Sequence, residues 1–128
     1  MVPTNLRYAE THEWTSVEGD VCTVGITKFA VEQLTDVVFV ELATVGKSFK
    51  VKEAFGQIES VKSVNDLYAP IAGEIIAKNE ALEKDPSIVS VDPYGKGWMV
   101  KIKMSSKGDL DKLLTPEQYE KQIASQAH

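Results

Sequence analysis

Short β-patterned runs, each stopped by turn-forming residues, leave this chain few folds to choose from. Val21–Ile26, Val37–Leu42, Glu53–Ser60, Val64–Tyr68, Gly73–Lys78 and Trp98–Met104 read as strands, and Gly46, Pro70 and Asp92-Pro93-Tyr94-Gly95 punctuate them. Helical spacing is confined to short pieces. Thr27 can cap a helix carrying Ala30, Val31 and Leu34. Asn79 is placed to start a helical turn through Leu82, and Asp85-Pro86 is an N-cap and first-turn pair before Ser87–Val89. In the tail, Asp109–Leu114 reads as helical. Thr115-Pro116-Glu117-Gln118 is a capping box opening a helix to about Ser125, with Tyr119 and Ile123 facing inward. This succession predicts a mainly β fold, an antiparallel sandwich or barrel with short helices and a C-terminal helix. Val37–Leu42, almost continuously apolar, is expected to be a central strand. In Trp98–Met104 the alternation puts Trp98, Val100, Ile102 and Met104 on one face and Met99, Lys101 and Lys103 on the other.

With 128 residues, 43% of them hydrophobic and 26% charged, the chain is expected to form one domain over residues 1–128. Its core should lie within about 7–104, with a helical segment over about 109–125. Fourteen basic against 19 acidic residues give a net charge of −5, which disfavours nucleic acid, whose binding depends on neutralising phosphates. No apolar run reaches the length of a membrane span. Cys22, the single cysteine, sits in an apolar run and is expected to be a buried, inert thiol. His12 and His128 lie far apart, and neither metal-ligand spacing nor a Ser/His/Asp constellation is recognisable. The Gly95 and Gly97 pair does not precede a helix, so it is no phosphate loop. The chain is therefore expected to be no enzyme and to bind no metal. The segment Met1–Glu10 lacks the features of a secretory or import signal, which fits a cytoplasmic bacterial protein, or a mitochondrial matrix protein if the chain is a processed eukaryotic one.

One lysine stands apart from this frame. Glu59-Ser60-Val61-Lys62-Ser63 places Lys62 in a short polar break between a run holding Phe55 and Ile58 and a run holding Val64, Leu67 and Tyr68. A lysine at a hairpin corner is ordinarily a solvated charge. It also has its amine in water, a free stem, and backbone on both sides fixing its position, as attachment of a cofactor requires.

The segment from Glu59 to Lys62 and Ser63, followed by Asp66-Leu67-Tyr68-Ala69-Pro70 and Ile71-Ala72-Gly73-Glu74-Ile75, resembles the lipoyl-attachment segment of the H-protein family of the glycine cleavage system. His12-Glu13-Trp14, Val24-Gly25-Ile26-Thr27, Asp36-Val37-Val38-Phe39-Val40-Glu41-Leu42, Asp92-Pro93-Tyr94-Gly95 and Gly97-Trp98 resemble further segments of that family, in the family's order. The likeness runs from about Arg7 to Tyr119. It implies the flattened barrel of lipoyl and biotinyl carriers, built from two similar halves. A faint likeness between Asp36–Gly46 and the segment beginning Gly73-Glu74-Ile75 fits such halves.

The resemblance implies lipoic acid joined by an amide to Lys62, with Glu59 either a recognition mark for the lipoate-attaching enzyme or a solvated strand residue. Residues matching Thr11, Glu13 and Asp66 would line a cleft that receives the loaded arm. Glu13 has a plainer reading as a surface carboxylate, and Asp66 as a group that satisfies turn backbone. The implied carrier is a monomer without chemistry of its own. It would shuttle an aminomethyl group from the pyridoxal-phosphate glycine decarboxylase (P-protein) to the tetrahydrofolate-dependent aminomethyltransferase (T-protein). The dihydrolipoyl dehydrogenase (L-protein) would then reoxidise it. Two other readings stay open: another swinging-arm domain, against which the His12-Glu13-Trp14 segment and the helical tail argue, and a related protein that donates lipoyl groups or regulates. Trp14 and Trp98 read as core or cleft-wall residues, and Asp92-Pro93-Tyr94-Gly95 as a structural turn. Thr35 stands where many members of the family have glycine. If the position needs a positive φ, threonine there is strained.

Overall fold

In the computed structural model, which describes residues 2–126, two antiparallel sheets pack face to face. His128 lies outside the described residues. The strands are β1 (Arg7–Tyr8), β2 (Glu13–Glu18), β3 (Val21–Ile26), β4 (Val37–Leu42), β5 (Ser48–Phe49), β6 (Ala54–Ser60), β7 (Val64–Tyr68), β8 (Gly73–Lys78) and β9 (Val100–Met104). The larger sheet runs β1-β2-β3-β9-β8-β5 and the smaller β4-β6-β7. The sheets do not close on each other, so the arrangement is a sandwich of the expected class. Between them Val24, Ile58, Leu67, Ile75, Val100 and Ile102 are buried and form the heart of the core. The halves suggested by sequence likeness fall in different sheets, β4 in the smaller and β8 in the larger.

The helices are α1 (Lys28–Leu34), α2 (Glu80–Lys84), α3 (Ile88–Val91) and α4 (Pro116–Gln126), with a 3-10 turn over Lys107–Lys112. Their starts follow the local chemistry. Thr27 Oγ1 accepts the Ala30 N–H at 3.3 Å and begins α1. At α4 the capping box closes in both directions, Gln118 N–H donating to Thr115 Oγ1 (3.2 Å) and Thr115 N–H to Gln118 Oε1 (2.9 Å). Asp85 Oδ1 accepts from Ser87 N–H and Oγ–H, so α3 begins one residue later than the sequence indicates. Asn79 instead turns its side chain away from α2 and donates to the carbonyls of Lys96 and Trp98, both at 2.8 Å. A second cluster of Leu6, Tyr8, Trp14 and Tyr119 anchors α4 to the large sheet, with the Tyr8 and Tyr119 rings stacked 4.6 Å apart.

Two strand expectations are corrected. β4 is an edge strand, paired among the described residues with β6 alone, and Val38 and Phe39 are 53% and 42% exposed. A register shift between Val37 and Phe39 breaks its pleat, leaving Val40 and Leu42 to face the core. Its open edge is partly covered by α2, whose Glu83 accepts the Leu42 N–H at 3.1 Å. In the last strand, regular pairing starts only at Val100. Met99 lies in the bend before it, hydrogen-bonded to Val24 O at 2.8 Å, and is fully buried, while Trp98 is half-buried. The alternation therefore holds for Val100, Ile102 and Met104 and fails for the two residues ahead of them. Cys22 is buried, and burial pushes its thiol up to about 12, as an inert core cysteine requires.

Candidate functional site

Pairing of β6 with β7 runs up to Glu59 opposite Val64, leaving Val61–Ser63 as the tip of the hairpin. Ser60 organises that tip. Its N–H donates to Ser63 O at 2.8 Å, and its Oγ accepts the N–H groups of Lys62 (3.3 Å) and Ser63 (3.2 Å). Val61 N–H donates to Asp36 O at 3.1 Å and ties the tip to the turn before β4. Lys62 thus has a fixed backbone and an exposed side chain. Glu59 is half-buried on β6, in register between Phe39 and Val64.

β7 leads from this tip to a cleft of about 490 Å³ between the hairpin, the β1–β2 turn and α1. Thr11, Glu13 and Asp66 all contribute to its lining, together with His12, Phe29 and Tyr68. The fold therefore gathers those three in one place. Lys62 and Glu59 do not line it. Asp66 is exposed and accepts from Gln57 Nε2 at 3.2 Å, its register partner on β6.

Glu13 is only 1% exposed. Its Oε1 accepts the Thr11 hydroxyl, and its Oε2 accepts the Tyr68 N–H at 3.1 Å, so the carboxylate staples the β1–β2 turn to the end of β7. Burial pushes its pKa up to about 7 although both hydrogen bonds favour the ionised form. A cation entering the cleft would complete the ionisation of such a group.

His12 has a backbone φ of +79° and is half-buried on the cleft wall. Its Nδ1 lies 2.8 Å from the Tyr119 hydroxyl, its ring 5.2 Å from that of Phe29, and burial holds its pKa below the usual histidine range. The sequence reading missed His12 and Phe29 as cleft residues. Phe29 carried a usable signal: it is an aromatic residue off the core-facing spacing of a short amphipathic helix. His12 carried none beyond its place beside Glu13. Trp14 is 2% exposed, donates Nε1–H to Pro93 O at 2.9 Å and lies over Gly25, where a Cβ would come within 2.6 Å of the indole. Asp92 folds the following turn by accepting from Lys96 N–H at 2.9 Å. Among the described residues no cluster of His, Cys, Asp and Glu has the arrangement of a metal site, and no helix is long and apolar enough to cross a membrane.

The family described as glycine cleavage H-protein matches residues 6–126. A glycine cleavage system H protein of Rubrobacter xylanophilus is 50% identical over 122 residues, 95% of this chain and 94% of the relative. That of Carboxydothermus hydrogenoformans is 47% identical over 121 residues, covering 94% and 93%. Among solved structures, a glycine cleavage system H protein from Mycobacterium marinum superimposes with a TM-score of 0.89 at 38% identity, covering 96% of this chain and 99% of that one.

Proposed function

The chain belongs to the glycine cleavage H-protein family, and on that premise we propose that it is a lipoyl carrier whose arm is attached to Lys62. The observation that carries the proposal is the pairing of a pinned, exposed lysine at the hairpin tip with an acidic cleft that the strand leaving the tip helps to line. Over Val64–Tyr68, the strand that leaves the tip, the backbone advances about 13 Å. A lysine stem lengthened by an acyl chain covers such a span. The amide removes the lysine charge, and the dithiolane at its end supplies redox and group-carrying chemistry.

In this reading glycine decarboxylase would release carbon dioxide from glycine and place the remaining aminomethyl group on one sulfur of the arm, the electron pair of the broken C–C bond reducing the disulfide. The aminomethyltransferase would move the one-carbon unit to tetrahydrofolate as ammonia is released, and dihydrolipoyl dehydrogenase, passing the electrons to NAD, would restore the disulfide. The carrier itself is not a catalyst. It acts in the compartment that holds these enzymes, the cytoplasm for a bacterial protein. Its contribution is protection. Free in water the aminomethyl thioether would lose its one-carbon unit, whereas Glu13 and Asp66 offer its ammonium carboxylate acceptors, with Thr11 orienting Glu13. Glu59, on β6 just before the tip, is the residue we propose the attaching enzyme reads.

The test is incubation of unmodified protein with a lipoate-attaching enzyme, followed by intact-mass measurement and peptide mapping. One lipoyl amide on Lys62 is expected, and Lys62→Arg should fold as the wild type and gain no mass. Modification of Lys52 or Lys78 would overturn the assignment.

A further inference from the structure

Carboxylates dominate the charge of the cleft lining, and a buried hydrogen-bond chain decides what His12 can offer there. Thr27 Oγ1 accepts from Ala30 N–H, and its own proton has one acceptor among the described residues, the Tyr119 phenolic oxygen at 2.6 Å. That phenol, fully buried, also meets His12 Nδ1 at 2.8 Å. A phenol has a single proton to give. Given to Thr27, it would leave the threonine proton without an acceptor in a fully buried position, a state that folded proteins avoid. The opposite order satisfies every group. Thr27 O–H donates to Tyr119, Tyr119 O–H donates to His12 Nδ1, and the imidazole proton resides on Nε2. Consistent with this order, no buried side-chain nitrogen or oxygen lacks a partner among the described residues.

We infer that His12, fixed as its Nε2–H tautomer by the Thr27–Tyr119 chain, presents a hydrogen-bond donor in the cleft to the sulfur of the docked arm that does not bear the aminomethyl group. The inference rests on the carrier reading above. Glu13 and Asp66 are acceptors suited to the ammonium, whereas a free thiol or thiolate sulfur needs a donor. Gln33, Asn65 and Gln126, the other nitrogen-bearing side chains of the lining, are exposed, while His12 is half-buried. Nε2 has no protein partner among the described residues, and burial favours the neutral ring. Thr27 N–H also donates to His12 O at 2.9 Å, which holds the backbone in its left-handed conformation. Tyr119 is then a positioning residue, through which α4, remote from Lys62 in sequence, sets the chemistry of the cleft.

The test uses full-length protein labelled with [15N]histidine, unmodified and then lipoylated, reduced and aminomethyl-loaded, with attachment to Lys62 checked by intact mass. Two-bond 1H–15N spectra should show His12 protonated on Nε2 in both states, and the Nε2 resonance should shift on loading. Tyr119→Phe, which keeps the stack on Tyr8, should leave a mixture of tautomers in a protein that still melts cooperatively. Loaded His12→Phe should release its one-carbon unit about fivefold faster than wild type, the worth of one ordinary hydrogen bond. His12→Gln, which retains a side-chain N–H, should recover most of that loss. An Nδ1–H tautomer in the wild type would overturn the chain. An Nε2 resonance indifferent to loading, with lipoyl on Lys62, would overturn the contact while leaving the carrier reading intact. Absence of lipoyl from Lys62 would overturn both that reading and the contact, and leave the tautomer to be decided by the unmodified protein.

Discussion

Glu13 is pulled in opposite directions by folding and by the proposed work of the cleft. Its folded pKa of about 7 stands above the ordinary value of 4.5. Between those values the folded state binds more protons than the unfolded chain. The stability associated with the neutral carboxyl is therefore complete below about pH 4.5 and lost as pH rises toward about 7. The loss is on the order of 3 kcal/mol at most. His12 acts in the other sense, since its lowered pKa makes unfolding take up a proton as pH falls below the usual histidine range. Glu13→Gln isolates the carboxyl, because an amide can accept from Tyr68 N–H and donate to Thr11 Oγ. Urea denaturation should find it equal to wild type near pH 4.5 and more stable by about 1–3 kcal/mol at pH 8. The same variant, once lipoylated and loaded, should lose its one-carbon unit roughly tenfold faster, as expected for losing a charge-assisted hydrogen bond. A stabler protein that protects its cargo less well is the expected signature of a carboxylate kept for function. The sequence made Glu13 a candidate only through family likeness. Nothing in His12-Glu13-Trp14 itself reveals that the carboxylate is buried against β7, because its partner Tyr68 is 55 positions away.

The connection between α1 and β4 shows where local chemistry is decisive. Thr35 has φ +64° and ψ −124°, a conformation that glycine adopts freely and a β-branched residue does not. The adjacent Asp36 carbonyl holds the lysine hairpin through Val61 N–H, so the strained turn supports the proposed attachment site. Thr35→Gly should raise the urea midpoint at unchanged m, a stabilisation of about 1 kcal/mol after the extra freedom of the unfolded glycine is counted. A lower midpoint would mean that the Thr35 hydroxyl, 2.5 Å from Leu34 O, outweighs the backbone strain. Features of this kind were legible in the sequence because a few neighbouring residues decide them. Thr27 at α1, the reciprocal box at α4 and the polar break at Val61–Ser63 are examples. The edge position of β4 and the burial of Met99 were not legible. Apolar composition says that a strand touches the core. It does not say which strands lie beside it, and only the order β4-β6-β7 leaves Val38 and Phe39 in solvent.

At the scale of the whole molecule, the small sheet brings exposed apolar side chains and carboxylates together beside the lysine hairpin. Val38 and Phe39 on β4, Val61 at the tip and Val64 on β7 are all exposed, and Asp36, Glu41 and Asp66 are exposed carboxylates on the same small sheet and its entry turn. Attaching an acyl group to Lys62 would remove a cation from this end and take the formal charge from −5 to −6. A partner enzyme approaching the arm would thus meet an acidic surface with an apolar centre. The two components act at different stages of binding. Long-range attraction raises the encounter rate and is screened within about 8 Å at physiological ionic strength, while apolar contact forms only after docking. Association of lipoylated protein with glycine decarboxylase should therefore slow as salt rises. Exchanging two carboxylates in Asp36→Lys/Glu41→Lys should lower the association rate at low salt by about tenfold and converge on wild type at high salt. Phe39→Ser should instead speed dissociation and leave the salt slope unchanged. Stopped-flow binding across a salt series separates these outcomes. A tight complex indifferent to salt and to both variants would mean that the enzyme grips another face, because the proposed shuttle, if held at this hairpin, must also let go between turnovers.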